Sequence, residues 1–258
     1  MSKLEATFIT MAKEPLTTWL LNSIMGRAEK SGFLCTHVEA ILESVLSHHQ
    51  VDDTPYGGGP GELMKIDVVA PLINKALLRN PARDRKKKRL LLMDPAGTVF
   101  NQSHAQRLIA YEELIFVSGR YEGIDARVYH YIDEAISLGD FVLSSGDLAA
   151  MAIFDATARL KEGVLGNKDS VLDESHINGR LESSHYTRPA DYEGHVVPSV
   201  LMSGNHALIK KARAYESLLK TGRLRPDLFA KHPLSPDEIE LSESIEAEDL
   251  TYPWQKNS

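Results

Sequence analysis

The chain has 258 residues, 43% hydrophobic, 25% charged and 7% aromatic, with a formal net charge of −7. These are globular proportions, over a length that fits one large domain or two modest ones. No apolar run reaches the ~18 residues of a membrane helix, the opening MSKLEATFITMAKEP predicts no secretory signal, and the single cysteine, Cys35, excludes an internal disulfide and a cysteine-based zinc site. The expectation is a soluble, cytoplasmic protein of a reducing compartment.

In chain order, residues 6–11 predict a buried strand. Residues 16–30, apolar at 16, 19, 20, 21, 24 and 25, predict a helix, and 37–48 a second, with Val38, Ile41, Leu42, Val45 and Leu46 on one face. Residues 90–93, 114–117 and 141–143 predict three further strands. Residues 148–160 predict a helix whose apolar face also carries Asp155 and Arg159. Strands alternating with helices imply an α/β domain with a mostly parallel sheet, and such sheets bind ligands beyond the carboxyl ends of their strands. The polar stretch 163–178, GVLGNKDSVLDESHIN, reads as an interdomain linker. A helix over 205–220 follows, with Leu208, Ile209, Ala212, Tyr215, Leu218 and Leu219 as its apolar face, Lys210, Lys211, Arg213 and Lys220 off it, and Gly222 as its stop. Ser-Pro-Asp-Glu at 235–238 starts a short acidic helix.

The charge is unevenly spread. Residues 233–258 hold seven acids and one base, a net −6, whereas 179–232 hold nine Lys and Arg against five Asp and Glu, a net +4. A basic segment between acidic ones favours a nucleic-acid partner. The acidic tail would shield that segment from nonspecific RNA. The run Arg83-Asp84-Arg85-Lys86-Lys87-Lys88-Arg89 reads either as a solvated connection before the strand at Leu90 or as a contact to RNA phosphates.

Three glycine-rich loops sit near predicted strand ends: 54–62 (TPYGGGPGE), 118–125 (SGRYEGID) and 137–147 (SLGDFVLSSGD). Glycine permits positive φ and close backbone approach to a ligand, so three such loops predict a pocket, with three tight turns as the plainer alternative. There is no Gly-Lys-Ser/Thr and no complete dinucleotide fingerprint, which argues against a nucleotide-dependent oxidoreductase.

Several segments now match a family. VDDTPYGGGPGE (51–62), SGRYEGIDARV (118–128), SLGDFVLSSGDLAAM (137–151), GVLGN (163–167), HYTRP (185–189) and VPSVLMSGNHALI (197–209) resemble those of bacterial tRNA (guanine-N1)-methyltransferases of the TrmD type, in family order, from about residue 6 to 230. The resemblance implies an α/β SPOUT fold with a deep trefoil knot, plus a small, mainly helical C-terminal domain. Nothing in the periodicity shows a knot, and knots are rare. It implies residues 1–162 as the methyltransferase domain, 163–178 as a flexible linker carrying the catalytic acid, 179–232 as the tRNA-binding domain and 233–258 as an acidic tail. It also implies S-adenosylmethionine as methyl donor, a homodimer with its sites at the interface, and methylation of the guanosine at tRNA position 37, just 3′ of the anticodon, with the anticodon branch held by the C-terminal domain.

Carried over position by position, the donor pocket would be Leu92, Met93, Asp94 and Pro95; Gly119, Tyr121, Glu122 and Gly123; and Ser137, Leu138, Gly139, Phe141, Leu143, Ser145 and Gly146. Asp94 stands where the family usually has serine, Ser145 where it has glycine and Asp147 where it has glutamate. Guanine N1 carries a proton and is a poor nucleophile, so the reaction needs a base and a group that stabilises charge at O6. The resemblance assigns O6 to Arg159. It places the base before Ser175, which is Glu174 here instead of the family's aspartate, with Asp173 the alternative. The resemblance implies a magnesium contact at Glu122, although by residue type alone pairing of Glu122 and Asp125 with Arg120 or Arg127 is the stronger expectation. His185, Tyr186, Arg188, Asn205 and His206 would hold the guanosine and the RNA, Tyr186 by stacking on a base, with Lys210 beside them. The other class of function compatible with these residues is an RNA-binding protein that has kept the fold and lost activity, which Glu174 alone favours.

Overall fold

The structure is a computed structural model that describes residues 3–45, 51–165, 174–244 and 252–253. The chain divides into two compact units, Met1–Lys168 and Asp169–Ser258. In chain order the first holds β1 (Leu4–Thr10), α1 (Glu14–Asn22), α2 (Ile24–Lys30), β2 (Leu34–Ala40), the short pair β3 (Asp52–Asp53) and β4 (Leu63–Met64), α3 (Ile66–Leu78), β5 (Lys88–Val99), α4 (Gln102–Leu108), β6 (Glu113–Ser118), β7 (Glu134–Ser137) and α5 (Gly146–Ala158).

Five strands form one parallel sheet in the order β2-β1-β6-β5-β7. β1 and β6 lie inside the sheet and are buried at every position, which is why they read as near-continuous apolar runs. Successive residues face opposite sides. Leu114 and Phe116 join a core with α1, α2 and α5, while Ile115 and Val117 join one with α3. In the first core the rings of Phe8 and Phe116 stack at 5.0 Å, and Phe154 of α5 meets Phe8 edge-on at 5.3 Å.

The sheet departs from three sequence expectations. Over the described residues 37–45 the expected helix (37–48) is not formed: Leu34–Ala40 is an edge strand paired residue for residue with β1, followed by a short 3-10 turn at Ile41–Glu43. Its apolar residues fit a helical spacing, but pairing with β1 and the β-branched Thr36 and Val38 decide the matter. Residues 141–143 are not a strand either. The strand is β7, and Phe141 and Val142 are exposed beyond its end. The helix expected over 16–30 breaks at Ser23, whose extended backbone ends α1 and whose hydroxyl accepts the Met25 N–H at 3.1 Å to cap α2.

The second unit holds a two-stranded hairpin, β8 (Asp191–Tyr192) with β9 (His195–Val196), and helices at Ser199–Met202, His206–Leu224, Pro226–Lys231 and Pro236–Ser244. The long helix differs from its expected face: Leu208 and Leu219 are exposed, while Glu216, Leu218 and Thr221 are buried. Gly222 does not stop it. A Cβ there would lie 2.8 Å from the Phe229 ring, so glycine lets the next helix pack close.

The amino edge of the sheet explains the basic run at 83–89. Arg83 pairs with Glu113 at 2.8 Å and Glu5 at 3.1 Å. Lys88 pairs with Glu113 at 3.3 Å and donates to the Leu77 carbonyl at 2.6 Å. Arg85, Lys87 and Arg89 pair with Asp133, Glu112 and Glu134. Glu113 is fully buried, and a buried carboxylate needs these partners. Most cations of the run are therefore paired with strand-end acids, although residues 84–87 are exposed. Replacing Arg83→Met leaves Glu5 and Glu113 short of a cation and should cost about 3 kcal/mol, measured as a lower urea midpoint. An unchanged midpoint would mean that the run is merely solvated.

Candidate active site

β6, β5 and β7 are neighbours and run the same way, so their carboxyl ends open on one edge of the sheet. A cavity of about 430 Å³ lies there, within the range of small-molecule sites. Its walls are residues 92–96, 119–124, 136–139 and 141–146, with Ala149 behind them. Every residue assigned to the donor pocket by resemblance lines this one cavity.

Each wall has a local cause. In β5 the pairing with β7 shifts register between Met93 and Thr98, so 94–97 leave the ladder at Pro95, which has no N–H to give it. Asp94 closes that excursion by accepting the Ala96 N–H at 2.8 Å, and burial, then the Asp94 charge, pushes the Tyr129 hydroxyl above its ordinary pKa. After β6 the chain turns sharply, with Tyr121 at φ 57° and the Gly123 N–H donating to the Arg120 carbonyl at 3.0 Å. After β7 the Ser137 hydroxyl accepts the Gly139 N–H at 3.1 Å.

The glycine loop 54–62 does not line the cavity. It buttresses the loop that does: Glu122 N–H donates to the Glu62 carbonyl at 3.1 Å, Met64 N–H to Gly123 at 3.0 Å and Asp125 N–H to Met64 at 2.9 Å. Burial, then a hydrogen bond to Asp52, pushes the Tyr121 hydroxyl above its ordinary pKa. Asp53 accepts the Thr54 N–H at 2.8 Å, so both aspartates shape this region.

The start of α5 closes the cavity. Gly146 N–H donates to the Gly119 carbonyl at 3.0 Å. A Cβ at Gly146 would sit 3.0 Å from the Met93 side chain and 3.2 Å from the backbone of Ser118 and Gly119, so only glycine lets helix and strand end approach this closely. Arg120 is the one Lys or Arg among the described lining residues, and it reaches Asp147 at 3.4 Å. Arg120 Nε and Asp147 Oδ1 are buried with no protein partner among the described residues. Arg120 lines the cavity, and an unpartnered polar atom on a lining residue fits a polar organic ligand. Sequence reasoning missed Arg120, although it stands inside the GRYEG motif.

The acids beside this loop do not gather into a metal site. Asp125 is taken by Arg127, whose hydrogen bonds at 2.9 Å hold its carboxyl down at about 2. Among the described residues no three His, Cys, Asp or Glu side chains cluster to hold an ion, and the carboxylates on the cavity wall are Asp94 and Glu122.

Residues 4–231 match the family described as tRNA (Guanine-1)-methyltransferase TrmD. The chain belongs to the TrmD family. It is 47% identical over 224 residues to a tRNA (guanine-N(1)-)-methyltransferase of Clostridium perfringens, covering 86% of this chain and 92% of that one. It is 44% identical over 229 residues to the Streptococcus uberis protein of that name, with coverages of 89% and 93%. It is 44% identical over 226 residues to the one from Syntrophotalea carbinolica, with coverages of 87% and 90%.

Two departures from the TrmD pattern prove to be one device. Ser145 caps α5 by accepting the Asp147 N–H at 3.0 Å, and its hydroxyl donates to Asp147 Oδ2 at 2.7 Å. The extra side chain at 145 is thereby tied to the shortened acid at 147.

The remaining TrmD positions are split between the units. Arg159, in the first, ends α5, its N–H donating to the Asp155 carbonyl at 3.2 Å. Burial pushes the Asp155 carboxyl up, against the pull of Arg159. Glu174, in the second, is half-buried and opens a hydrogen-bonded turn, the Ile177 N–H donating to its carbonyl at 3.3 Å. The described end of the expected linker is thus a folded turn, and Asp173 lies outside the described residues. Arg188, His206 and Lys210 are exposed. Asn205 has a structural task, accepting the Leu208 N–H at 3.1 Å to cap the long helix. Tyr186 is half-buried, with its hydroxyl atom buried near Glu216, which reduces what it can offer a base. Replacing Gly146→Ala should cost about 1–3 kcal/mol by overpacking this junction, read as a lower thermal midpoint. An unchanged midpoint would show that the junction has slack.

Proposed function

We propose that the protein transfers a methyl group from S-adenosylmethionine to N1 of the guanosine at position 37 of tRNA, next to the anticodon. The observation that carries this reading is the convergence of the three strand-end loops and the first turn of α5 on one cavity, in a chain of the TrmD family. In this reading the backbone of 92–95, 119–123 and 137–146 holds the adenosyl and ribose groups. Polar and apolar backbone surface suffices for that, without the charged cradle a phosphate needs. S-adenosylmethionine, when bound, supplies a methyl carbon already activated by its sulfonium.

The chain's own task is to prepare guanine. Glu174, with Asp173 as the alternative, accepts the N1 proton. Arg159 faces the negative charge that then develops at O6. Arg188, His206 and Lys210 contact the RNA, with Tyr186 and Asn205 shaping their surroundings. Arg159 lies in the first unit and Glu174 in the second. The reading includes a homodimer, for which the exposed apolar rim of Tyr129, Phe141, Val142 and Leu148 beside the cavity is suited. It includes the trefoil knot, with which the return of α5 from the β7 edge onto β5 and β6 is compatible. It places the donor in residues 1–162, the anticodon branch on 179–232 and the reaction in the cytoplasm. A magnesium contact at Glu122 enters no step.

The test is methyl transfer from labelled S-adenosylmethionine to two tRNA transcripts that differ only in guanosine or adenosine at position 37. Label should enter the guanosine transcript alone. Glu174→Gln should slow single-turnover transfer by about 10²-fold or more, as loss of a general base does, and Asp173→Asn should leave the rate within a few-fold. The opposite order would move the base to Asp173. Donor binding without any transfer would favour an inactive RNA-binding protein.

Arg159→Ala should slow the same step by about 10²-fold with the affinity for S-adenosylmethionine unchanged, as measured by equilibrium titration and single-turnover rates. An equal loss of donor affinity would place Arg159 in the donor site instead.

A further inference from the structure

The C-terminal helix Pro236–Ser244 lies beyond the last residue matched by the family, 231, and none of the chemistry above uses it. It packs against the long helix and is tied to the rest of the second unit by the Arg180 side chain. The guanidinium is nearly buried and is engaged on every side. Nε and Nη2 donate to the two carboxylate oxygens of Glu238 at 2.8 and 2.9 Å. Nη1 donates to the His232 carbonyl at 2.8 Å and Nη2 to Pro233 at 3.2 Å. Its plane lies 4.9 Å from the Phe229 ring. Glu238 is itself fixed by a capping box: it accepts the Ser235 N–H at 2.8 Å and donates its own N–H to the Ser235 hydroxyl at 3.3 Å. Arg180 holds the Glu238 carboxyl below its ordinary pKa.

Arg180 is also the closing residue of the turn that Glu174 opens. The His176 N–H donates to the Arg180 carbonyl at 2.7 Å, the Ile177 N–H to Glu174 at 3.3 Å, and the Glu182 N–H to the Ser175 hydroxyl at 3.0 Å. Gly179, at φ +70°, has no room for a Cβ, which would fall 2.4 Å from the His232 ring. The next residue, Leu181, is pinned to the long helix through Thr221 and Ser217 at 2.8 and 2.6 Å. The turn is thus held on one flank by the long helix and on the other by the acidic helix.

We propose that Arg180 and Glu238 are positioning residues: their bidentate pair lets the acidic C-terminal helix set the turn that presents Glu174. The proposal rests on the reading of Glu174 as proton acceptor. A base displaced by about 1 Å can cost up to 10²-fold in rate, and Arg-carboxylate forks fix geometry as well as charge. This gives the described part of the acidic tail a task inside the domain, distinct from shielding it from RNA.

The experiment measures kcat and KM for the guanosine-37 transcript at saturating S-adenosylmethionine. It uses the full chain, its Glu238→Gln, Arg180→Lys and Glu174→Gln variants, and the Glu238→Gln/Glu174→Gln pair. Thermal melts establish that each is folded at the assay temperature. Glu238→Gln should lower kcat about tenfold with KM for tRNA within twofold. Arg180→Lys, which keeps the charge and loses the fork, should do the same, and it serves if Glu238→Gln does not fold. In the Glu174→Gln background the loss at 238 should disappear. A wild-type kcat for folded Glu238→Gln, a change confined to KM, or an undiminished tenfold loss in the Glu174→Gln background would each overturn the proposal while leaving Glu174 as the base. A wild-type rate for Glu174→Gln alone would overturn the base assignment, and the proposal with it.

Discussion

Strands β6, β5 and β7 lie side by side and run in one direction, so three chain reversals are forced to the same edge of the sheet. The cavity depends on that alignment. Each loop then needs only a local device: the proline-marked register shift after Met93, the sharp turn at Tyr121 and the serine-closed turn at 137–139. The first turn of α5 completes the enclosure because Gly146 carries no side chain. The result is a rigid frame that presents backbone groups at fixed positions, which is what binding a polar ligand without a charged cradle requires.

The two edges of the sheet divide the electrostatics between them. At the amino edge, Glu5 and Glu113 are buried and answered by Arg83 and Lys88, with further pairs to Asp133 and Glu134 around them. Charge there is spent on fixing strand ends against one another, and removing any one member exposes the others' desolvation. At the carboxyl edge the wall is mostly uncharged, and the Arg120–Asp147 pair retains buried polar atoms without protein partners. A basic run in the sequence therefore marks the structural edge, and the glycine-rich loops mark the functional one.

The second unit shows the same economy of anchoring. A single arginine joins a turn, two backbone carbonyls, an aromatic ring and a capping-box glutamate. The long helix contributes Thr221 and Ser217 from positions that an apolar stripe would have given to hydrophobic residues, and Glu216 is buried beside them. That is why its observed face differs from the one its periodicity implies. Polar residues that pair within a small domain can replace apolar ones on a buried helix face provided their partners are supplied.

What the sequence by itself determined was the class of fold, the inner strands and the loops around the cavity. The middles of β1, β5 and β6 are buried on both faces, so their residues are mostly apolar whatever their neighbours are, and the glycines at 123 and 139 are dictated by positive φ. Two of the family motifs, 118–128 and 137–151, lie in these same segments, and so they too were legible. Only the tertiary structure decided the rest. Residues 37–40 are a strand because β1 offers an edge to pair with. Phe141 and Leu143 are apolar because they line a cavity. Loop 54–62 is a buttress because the chain at 120–125 passes beside it. Arg83 and Arg180 are structural cations because acids far away in sequence reach them. In each case the deciding contact joins residues distant along the chain, and neither periodicity nor composition records which distant partner will be there.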